Sequence, residues 1–318
     1  MHLVKRSLTA LLFLLTGCMG SSFGQQVPDN PVSYRIFDPF IYNPAMTGSK
    51  DYFAIDLIAG KFGGSNSQLL SGNARLSRTQ SKYSSSTTIP EFTNIGIGGY
   101  LFNDYTGTSR NAGAAASMSY HLKIDREALS YVSFGISAKA VFNRYYGNSD
   151  LGEPAQNTFF PNFDAGVYYY SPHFFAGISA TNLLGTPADK DTADSYTVNA
   201  SRQLFLTAGY KIMLSKPLNI VIEPSLIINT DDSFSAKITD MIQPVVKLYA
   251  GNIFLGTYFN DFHKTSIFFK YKYKAAYIGT FFELKNGSPF YKTPLLAEAV
   301  LGLNISAVKS GISRQNHW

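Results

Sequence analysis

The stretch Tyr131-Val132-Ser133-Phe134-Gly135-Ile136-Ser137-Ala138-Lys139-Ala140-Val141-Phe142 alternates mostly apolar residues with mostly small or polar ones. Successive side chains of a β-strand point to opposite faces of a sheet, so this period of two predicts a strand with one apolar face and one polar face. A helical period of 3.6 fits the stretch less well. Such a strand suits a wall that has lipid on one side and a polar lumen on the other.

The same alternation recurs along most of the chain. It is found in the segments 53–59, 95–102, 114–123, 165–170, 174–181, 204–214, 218–228, 253–259, 267–274 and 275–284. Clusters of turn-forming residues separate these segments, among them 60–66 and 103–107. The pattern predicts an all-β protein, a single transmembrane antiparallel β-barrel of the outer-membrane type with about 14 strands.

The composition supports a membrane barrel and excludes a bundle of membrane helices. The chain has 318 residues, of which 45% are hydrophobic and only 15% are charged, whereas an average soluble domain has roughly 25% charged residues. Its mean hydropathy is −0.04, and no apolar run after the first 24 residues approaches the ~20 residues that a membrane helix needs. A soluble β-sandwich is the alternative, but its water-facing strand positions would carry more charge than this chain has.

The N-terminus has the layout of a secretory signal peptide. Lys5 and Arg6 precede a short apolar stretch and then small residues. Cleavage before Gln25 would remove residues 1–24. The residues before Cys18 also resemble a bacterial lipobox, which would make Cys18 the lipidated N-terminus instead. Both readings stay open at this point.

Charge and cysteine content limit the partners. Loss of residues 1–24 lowers the formal charge from +6 to +4 because Lys5 and Arg6 leave. This mild excess, with no aromatic platform beside the basic residues, indicates no nucleic-acid partner. Cys18 is the only cysteine, so a thiolate metal site is excluded. The histidines show no ligand spacing, and we expect no cofactor and no metal.

These observations divide the chain into four parts. Residues 1–24 are the predicted signal peptide, and 25–50 form an N-terminal segment that we expect to be periplasmic or to act as a plug. The barrel is predicted to occupy 51–305, and 306–318 form a C-terminal tail.

Several motifs resemble the PorP/SprF family of outer-membrane proteins of the Bacteroidota. The segment 38–48 runs from aromatic residues into Asn43-Pro44-Ala45 and then Gly48, which is similar to the opening signature of that family. The segments 103–107 and 163–184 and the pair Pro224-Ser225 resemble later family motifs in order and spacing. The C-terminus departs from the family, because its usual last strand is replaced here by a longer tail.

The resemblance implies an outer-membrane component of the type IX secretion system that is not an enzyme. It implies partners among the periplasmic ring, the peptidoglycan-linked lipoproteins and the C-terminal sorting domains of cargo, in addition to outer-membrane lipids. In some hosts it implies a part in gliding motility. A general pore or solute channel is the alternative function for a barrel of this kind.

Two groups of residues are candidate sites. Asn43, Pro44, Ala45 and Gly48 precede the first strand, so they either plug the lumen, contact a periplasmic partner or simply position that strand. Proline holds the preceding residue extended, and glycine permits a tight turn.

Lys270, Lys272 and Lys274 share one face of a predicted strand and form a candidate basic stripe in the lumen. The stripe either attracts acidic cargo or is paired with acids of neighbouring strands such as Glu283.

A barrel enzyme is the third hypothesis. Ser119 and His121 would lie on the same side of one strand, as the serine and histidine of a lipase-like pair must. With so many serines in the chain, the pairing is close to what chance would give.

Overall fold

The computed structural model describes eleven stretches of the chain, and the structural statements below concern them. They are residues 32–50, 52–62, 65–77, 92–107, 109–125, 129–147, 154–185, 202–231, 241–260, 264–285 and 296–306. The predicted signal peptide, Cys18 and the tail beyond Ser306 lie outside the described residues.

A short helical segment precedes a long series of strands. Helix α1 covers Val32–Phe37, and 3-10 turns follow at Pro39–Ile41 and Pro44–Met46. The strands are β1 Tyr52–Phe62, β2 Ser65–Ser77, β3 Phe92–Thr106, β4 Ser109–Asp125, β5 Ser130–Tyr145, β6 Gln156–Tyr170, β7 Phe174–Thr181, β8 Gln203–Tyr210, β9 Ile212–Ser215, β10 Ile220–Asp231, β11 Ile242–Ala250, β12 Ile253–Asn260, β13 Lys264–Tyr273, β14 Ala276–Lys285 and β15 Leu296–Ser306.

The strands close into an antiparallel barrel. Each strand pairs with its neighbours in sequence, and β15 returns to pair with β1 from Tyr52↔Ser306 to Lys61↔Ala297. Strands β8 and β9 both pair with β10 and are separated only by Lys211, so they are two parts of one strand. The described residues therefore form a barrel of 14 strands, which confirms the predicted fold class and strand number. Closure leaves no unpaired edge in the membrane.

The two faces of β5 show the alternation that its sequence predicts. Phe134, Ile136 and Phe142 are 48%, 59% and 58% exposed, as expected for side chains that contact lipid. Ser133 and Ser137 point the other way and are buried. Lys139 also points inward, where its Nζ lies 2.8 Å from Oδ1 of Asp164 on β6.

Some predicted boundaries were wrong. The segment 60–66 was predicted to be a turn, but β1 continues to Phe62 and β2 begins at Ser65. The segment 103–107 was also predicted to be a turn, yet β3 continues to Thr106. These residues are strong turn formers, but pairing with the neighbouring strands outweighs the local preference.

Three strands were missed by the sequence pattern, namely β2, β11 and β15. In β2 both faces carry polar residues, which hides the alternation. In β11 the apolar run is interrupted by Pro244, a residue that argues against a central strand.

The connections distinguish the two ends of the barrel. At the end where β1 begins and β15 stops, the connections 171–173, 251–252 and 274–275 are short, and the β2–β3 connection 78–91 is the long exception. At the other end, β5–β6, β7–β8 and β14–β15 are joined by longer segments, whereas β1–β2 and β3–β4 are joined by short ones. Outer-membrane barrels have short periplasmic turns and longer extracellular loops. We therefore call the first end the inner, periplasmic end and the second the outer end.

Candidate functional site: the N-terminal segment inside the barrel

Residues 33–47 of the N-terminal segment lie inside the barrel and contact its wall on several sides. Tyr34, Phe37 and Phe40 are 1%, 3% and 2% exposed. The Phe37 ring packs edge-on against the rings of Phe268 and Phe281, with centroids 6.1 and 6.2 Å away. Apolar side chains thus occur in the lumen, where they are buried, as well as on the lipid face, where they are exposed.

The segment runs from the outer half of the lumen down to its inner end. The hydroxyl of Tyr34 donates to Oδ1 of Asp104 at 3.1 Å, near the outer end of β3. Arg35 donates to Oε1 of Gln243 at 3.4 Å, near the outer end of β11. By contrast, Thr47 contacts β4 close to its inner end. The chain therefore enters β1 from within the lumen.

Two prolines and one asparagine determine the local shape. Pro39 and Pro44 each occupy the first turn of a 3-10 helix, where a missing N–H costs nothing. Asn43 is extended, as a residue before proline prefers, with φ −133° and ψ 96°. Its Oδ1 accepts a hydrogen bond from the Ala45 N–H at 3.1 Å and caps the second 3-10 turn.

The Asn43 side chain is also held by the barrel wall. It is completely buried, and its Nδ2 donates to the carbonyl oxygen of Val167 on β6 at 3.3 Å. A Cβ atom at Gly166 would collide with Asn43 Oδ1, and one at Gly177 would lie 2.8 Å from Nδ2. These two glycines leave the space that the carboxamide occupies.

Serine hydroxyls of the wall bind backbone carbonyls of the segment. Ser179 donates to the carbonyl of Tyr42 at 2.6 Å, and Ser133 donates to that of Ala45 at 2.7 Å. A Cβ atom at Gly135 would collide with the backbone of Pro44 and Ala45. Small residues on the lumenal face therefore allow the segment to lie directly against the wall, and the hydroxyls satisfy its buried carbonyls.

Ser119 and His121 act together on Thr47. Ser119 Oγ lies 2.6 Å and His121 Nε2 lies 2.9 Å from the carbonyl oxygen of Thr47. A carbonyl only accepts hydrogen bonds, so Nε2 carries the proton and Nδ1 accepts from the Tyr170 hydroxyl at 3.0 Å. With its proton on Nε2, the imidazole is not a base for Ser119, although the two side chains are 2.9 Å apart. The pair holds the segment in place.

Gly48 forms the turn that leads from the segment to β1. Its φ is +64°, a conformation that favours glycine. A Cβ atom there would lie 2.7 Å from the carbonyl oxygen of Ala74 and 2.8 Å from Cα of Gly96. The four predicted motif residues thus contact two parts of the lumenal wall: Asn43, Pro44 and Ala45 lie against β5–β7, and Gly48 lies against β2 and β3.

Only two of the three predicted stripe lysines, Lys270 and Lys272, share the inward-facing side of β13. Lys270 points into the lumen and is 8% exposed, with its Nζ 4.4 Å from the ring centroid of Phe37 and 4.3 Å from that of Tyr277. Lys272 is half-buried. Lys274 lies in the exposed β13–β14 turn with φ +55°, so it does not extend a lumenal stripe. The predicted acid Glu283 lies 3.6 Å from Lys264 Nζ.

Burial shifts the titration of the segment's own groups. It raises the pKa of Tyr42 to about 12. It also raises the pKa of the Asp38 carboxyl well above its usual value; Asp56 adds to this effect, and Lys270 opposes it. A charged Asp38 is therefore unfavourable in its buried position.

The described stretches contain neither a metal site nor a membrane-spanning helix. No group of three or more histidine, cysteine, aspartate or glutamate residues in them is arranged to hold a metal ion. None of their helices has the length and apolar character required to cross a membrane.

The closed 14-stranded wall, with apolar side chains outside and a lumen occupied by the N-terminal segment, defines an outer-membrane β-barrel. Residues 25–292 match the family described as type IX secretion system membrane protein PorP/SprF. The chain belongs to this family. It is therefore an outer-membrane protein of the type IX secretion system and works with other components of that system, as the motifs at 38–48 and 163–184 predicted.

A comparison with solved structures returned outer-membrane barrels at low identity and low TM-score. The Omp33 protein of Acinetobacter baumannii is 9% identical, with 82% of this chain and all of that chain covered and a TM-score of 0.39. The β domain of the Bordetella autotransporter BrkA is 10% identical over 80% of this chain and 98% of that chain, with a TM-score of 0.36. No match was found among curated proteins.

Several residues of the site were missed by sequence reasoning. Ser133, Ser179, Gly135, Gly166 and Gly177 were seen only as the polar or small positions of alternating strands. A usable signal was present, because small residues recur at lumenal positions of β5, β6 and β7. A lumen filled by water does not require such small side chains.

Proposed function

We propose that this protein is a sealed, non-enzymatic docking component of the type IX secretion system. It binds cargo sorting domains, the periplasmic ring or peptidoglycan-linked lipoproteins, and so supports export of surface proteins and, in some hosts, gliding. The observation that carries the proposal is the N-terminal segment packed against the lumenal wall of a barrel from this family. A barrel occupied in this way contributes binding surface and not a wide path for solutes.

The contacts of the segment support a permanent seal. At least four wall side chains, Ser119, His121, Ser133 and Ser179, donate hydrogen bonds to its backbone. Each buried bond contributes about 1 kcal/mol net, and leaving such a carbonyl unsatisfied costs about 1–3 kcal/mol. Asn43, Pro44, Ala45 and Gly48 accordingly serve as the anchor of the plug.

Deletion of the gene followed by mass spectrometry of surface and culture-fluid proteins tests the role in secretion. Loss of all proteins that bear type IX sorting domains would identify a core component. Loss of one or two large surface proteins would identify a cargo-dedicated component. If every cargo still reaches the surface, the secretion role is wrong.

A solute channel is the alternative function, and it is tested separately. The purified protein in planar bilayers is expected to show no steady conductance, because the segment occupies the lumen. A stable open channel in the wild-type protein would favour the pore. Stoichiometric co-purification of a periplasmic or cargo partner would favour docking.

A further inference from the structure

Lysines gather at the inner end of the lumen. The backbone N–H of Lys211 donates to the carbonyl of His173 in the β6–β7 turn at 2.7 Å, which places Lys211 at that end. Lys211 lines a cavity of about 150 Å³ together with Lys50 and Lys247. Lys272, the next to last residue of β13, is half-buried on the inward side of that strand, and the charge of Lys50 acts on it. We call Lys50, Lys211, Lys247 and Lys272 the basic inner mouth.

One acid lies among these lysines. Lys247 Nζ lies 3.0 Å from Oε1 of Glu223, and Lys211 Nζ lies 4.0 Å from Oε2. The side chain of Glu223 is only 4% exposed, whereas those of Lys211 and Lys247 are 25% and 19% exposed. A group that approaches from the periplasm therefore meets ammonium groups and not the carboxylate. Partly exposed ion pairs are weak, so these lysines still attract further negative charge.

Two further acids lie deeper in the lumen. Asp38 and Asp56 are 2% and 3% exposed, and their charges act on Lys50 and on the buried Lys270. With Lys270 and Glu223 included, five lysines face three acids in this region. The inner part of the lumen thus has an excess of positive charge, and all three acids are buried.

A second part of the inner opening also carries positive charge. Arg75 Cζ lies 4.9 Å and Lys123 Nζ lies 5.9 Å from the ring centroid of Tyr131. Both cations lie near the inner ends of their strands, β2 and β4, and Lys123 is exposed. Asp125 is the acid at the end of β4. These two cations extend the positive charge around the opening beyond the basic inner mouth.

The wall carries the opposite charge near the outer end of the lumen. Asp104, Glu283 and Glu298 are buried there, close to the outer ends of β3, β14 and β15. Lys264 of the wall, 3.6 Å from Glu283, and Arg35 of the N-terminal segment are the cations described near them. An acidic chain is therefore attracted to the inner opening and gains nothing by moving further outward.

The basic inner mouth is turned away from the lipid. Lys211 and Lys247 line the lumenal cavity, whereas Leu206 and Tyr210 are 48% and 50% exposed on the outer surface of the same wall. A phospholipid headgroup outside the barrel therefore does not contact these ammonium groups. A soluble periplasmic chain can approach them, and a cleft lined by one sign of charge concentrates groups of the opposite sign.

We propose that the basic inner mouth binds an acidic segment of a periplasmic protein. Carboxylates of that segment lie against Lys50, Lys211, Lys247 and Lys272, and the cavity admits one of its side chains. The inference rests on the proposed docking role and adds the surface that docks and the chemistry of the partner. Its failure is distinguishable from failure of that role, because gene deletion tests secretion without reference to these lysines.

Fluorescence anisotropy with the full-length mature protein in a non-ionic detergent tests the proposal. The probes are short labelled peptides built from Glu-Ser, Gln-Ser or Lys-Ser repeats. We expect the Glu-Ser peptide to bind and the other two not to bind. Its affinity is expected to fall with added salt, because the Debye length shortens from about 10 Å at 0.1 M to about 3 Å at 1 M.

A double variant locates the site. Lys50→Gln combined with Lys211→Gln is expected to weaken binding of the Glu-Ser peptide about 2- to 30-fold, since each partly exposed charge pair is worth about 1.5- to 5-fold. Lys247 is kept, so Glu223 retains its 3.0 Å partner.

Arg110→Gln combined with Arg202→Gln is the matched control, because it removes the same charge from two exposed residues near the outer end. Retained heat-modifiable migration on gels shows that each variant still forms a barrel.

Several results would overturn the inference. They are equal binding of the Glu-Ser and Gln-Ser peptides, absence of Glu-Ser binding to the wild-type protein, and equal weakening by the inner and outer double variants. Soluble peptidoglycan fragments that bind at the same lysines more tightly than the Glu-Ser peptide would assign the site to the cell wall, and the protein partner would be wrong.

Discussion

Replacing Gly135 by alanine is expected to loosen the N-terminal segment without harming the barrel wall. The added Cβ would overlap the backbone of Pro44 and Ala45, which has no flexible side chain that can move aside. For β5 itself alanine costs nothing, because glycine is no better a strand residue. The collision therefore acts on the docked segment alone.

The expected size follows from overpacking, which costs about 1–3 kcal/mol in a tightly filled interior. Movement of Ala45 also weakens its 2.7 Å hydrogen bond from Ser133. Because each ~1.4 kcal/mol is a factor of ten, the displaced population is expected to rise about 5- to 150-fold.

A cysteine at Met46 reports this displacement. Met46 is 8% exposed, and Cys18 is the only native cysteine, so Met46→Cys adds a reporter thiol in the segment. Its maleimide labelling rate is expected to rise in the Gly135→Ala background. Gly72→Ala is the matched control, because its Cβ would meet only the Ala54 carbonyl oxygen at an ordinary 3.5 Å. Equal labelling in the two backgrounds would refute the tight packing of Ala45.

Three further substitutions have defined outcomes. Asn43→Ala removes the cap of the second 3-10 turn and the hydrogen bond to Val167, so docking of the segment is expected to be destabilised by about 0.5–2 kcal/mol and the Met46→Cys reporter to label faster. An unchanged labelling rate would contradict the anchoring role of Asn43. The pKa of Asp38 is raised in the folded protein from about 3.9 when unfolded, so docking of the segment is expected to weaken as the pH rises above about 4. Asp38→Asn should remove this pH dependence of labelling. Equal protection of the wild-type thiol reporter at pH 4.5 and 8 would contradict the prediction. Ser119→Ala should loosen the segment yet leave secretion of cargo measurable, because Ser119 donates a hydrogen bond to Thr47 and does not act as a nucleophile. Complete loss of secretion from a folded variant that keeps its segment docked would contradict this role.

Much of the wall could be predicted from alternation. In β5 the side chains that face lipid and lumen follow directly from the period of two, because strand geometry is local. The predicted turns at 60–66 and 103–107 failed for a different reason. There the residues prefer turns, but hydrogen bonding to β2, β3 and β4 extends the strands through them.

Only part of the candidate site could be predicted from the sequence. The order Asn43-Pro44-Ala45 determines an extended residue, a 3-10 turn and its cap, since proline and asparagine impose these shapes locally. It does not reveal what receives them. The position of Lys274 could not be predicted from the sequence either. Alternation assigns it to the same face as Lys270, but it lies in a turn with a positive φ and therefore leaves that face.

The sequence by itself determined the all-β class, the lipid-facing positions and the shape of the N-terminal motif, since each depends on neighbours along the chain. Only the tertiary structure decided that this motif lies in the lumen. Its contacts to Ser133 and Ser179 span 88 and 137 residues, and such pairs meet only when the barrel closes.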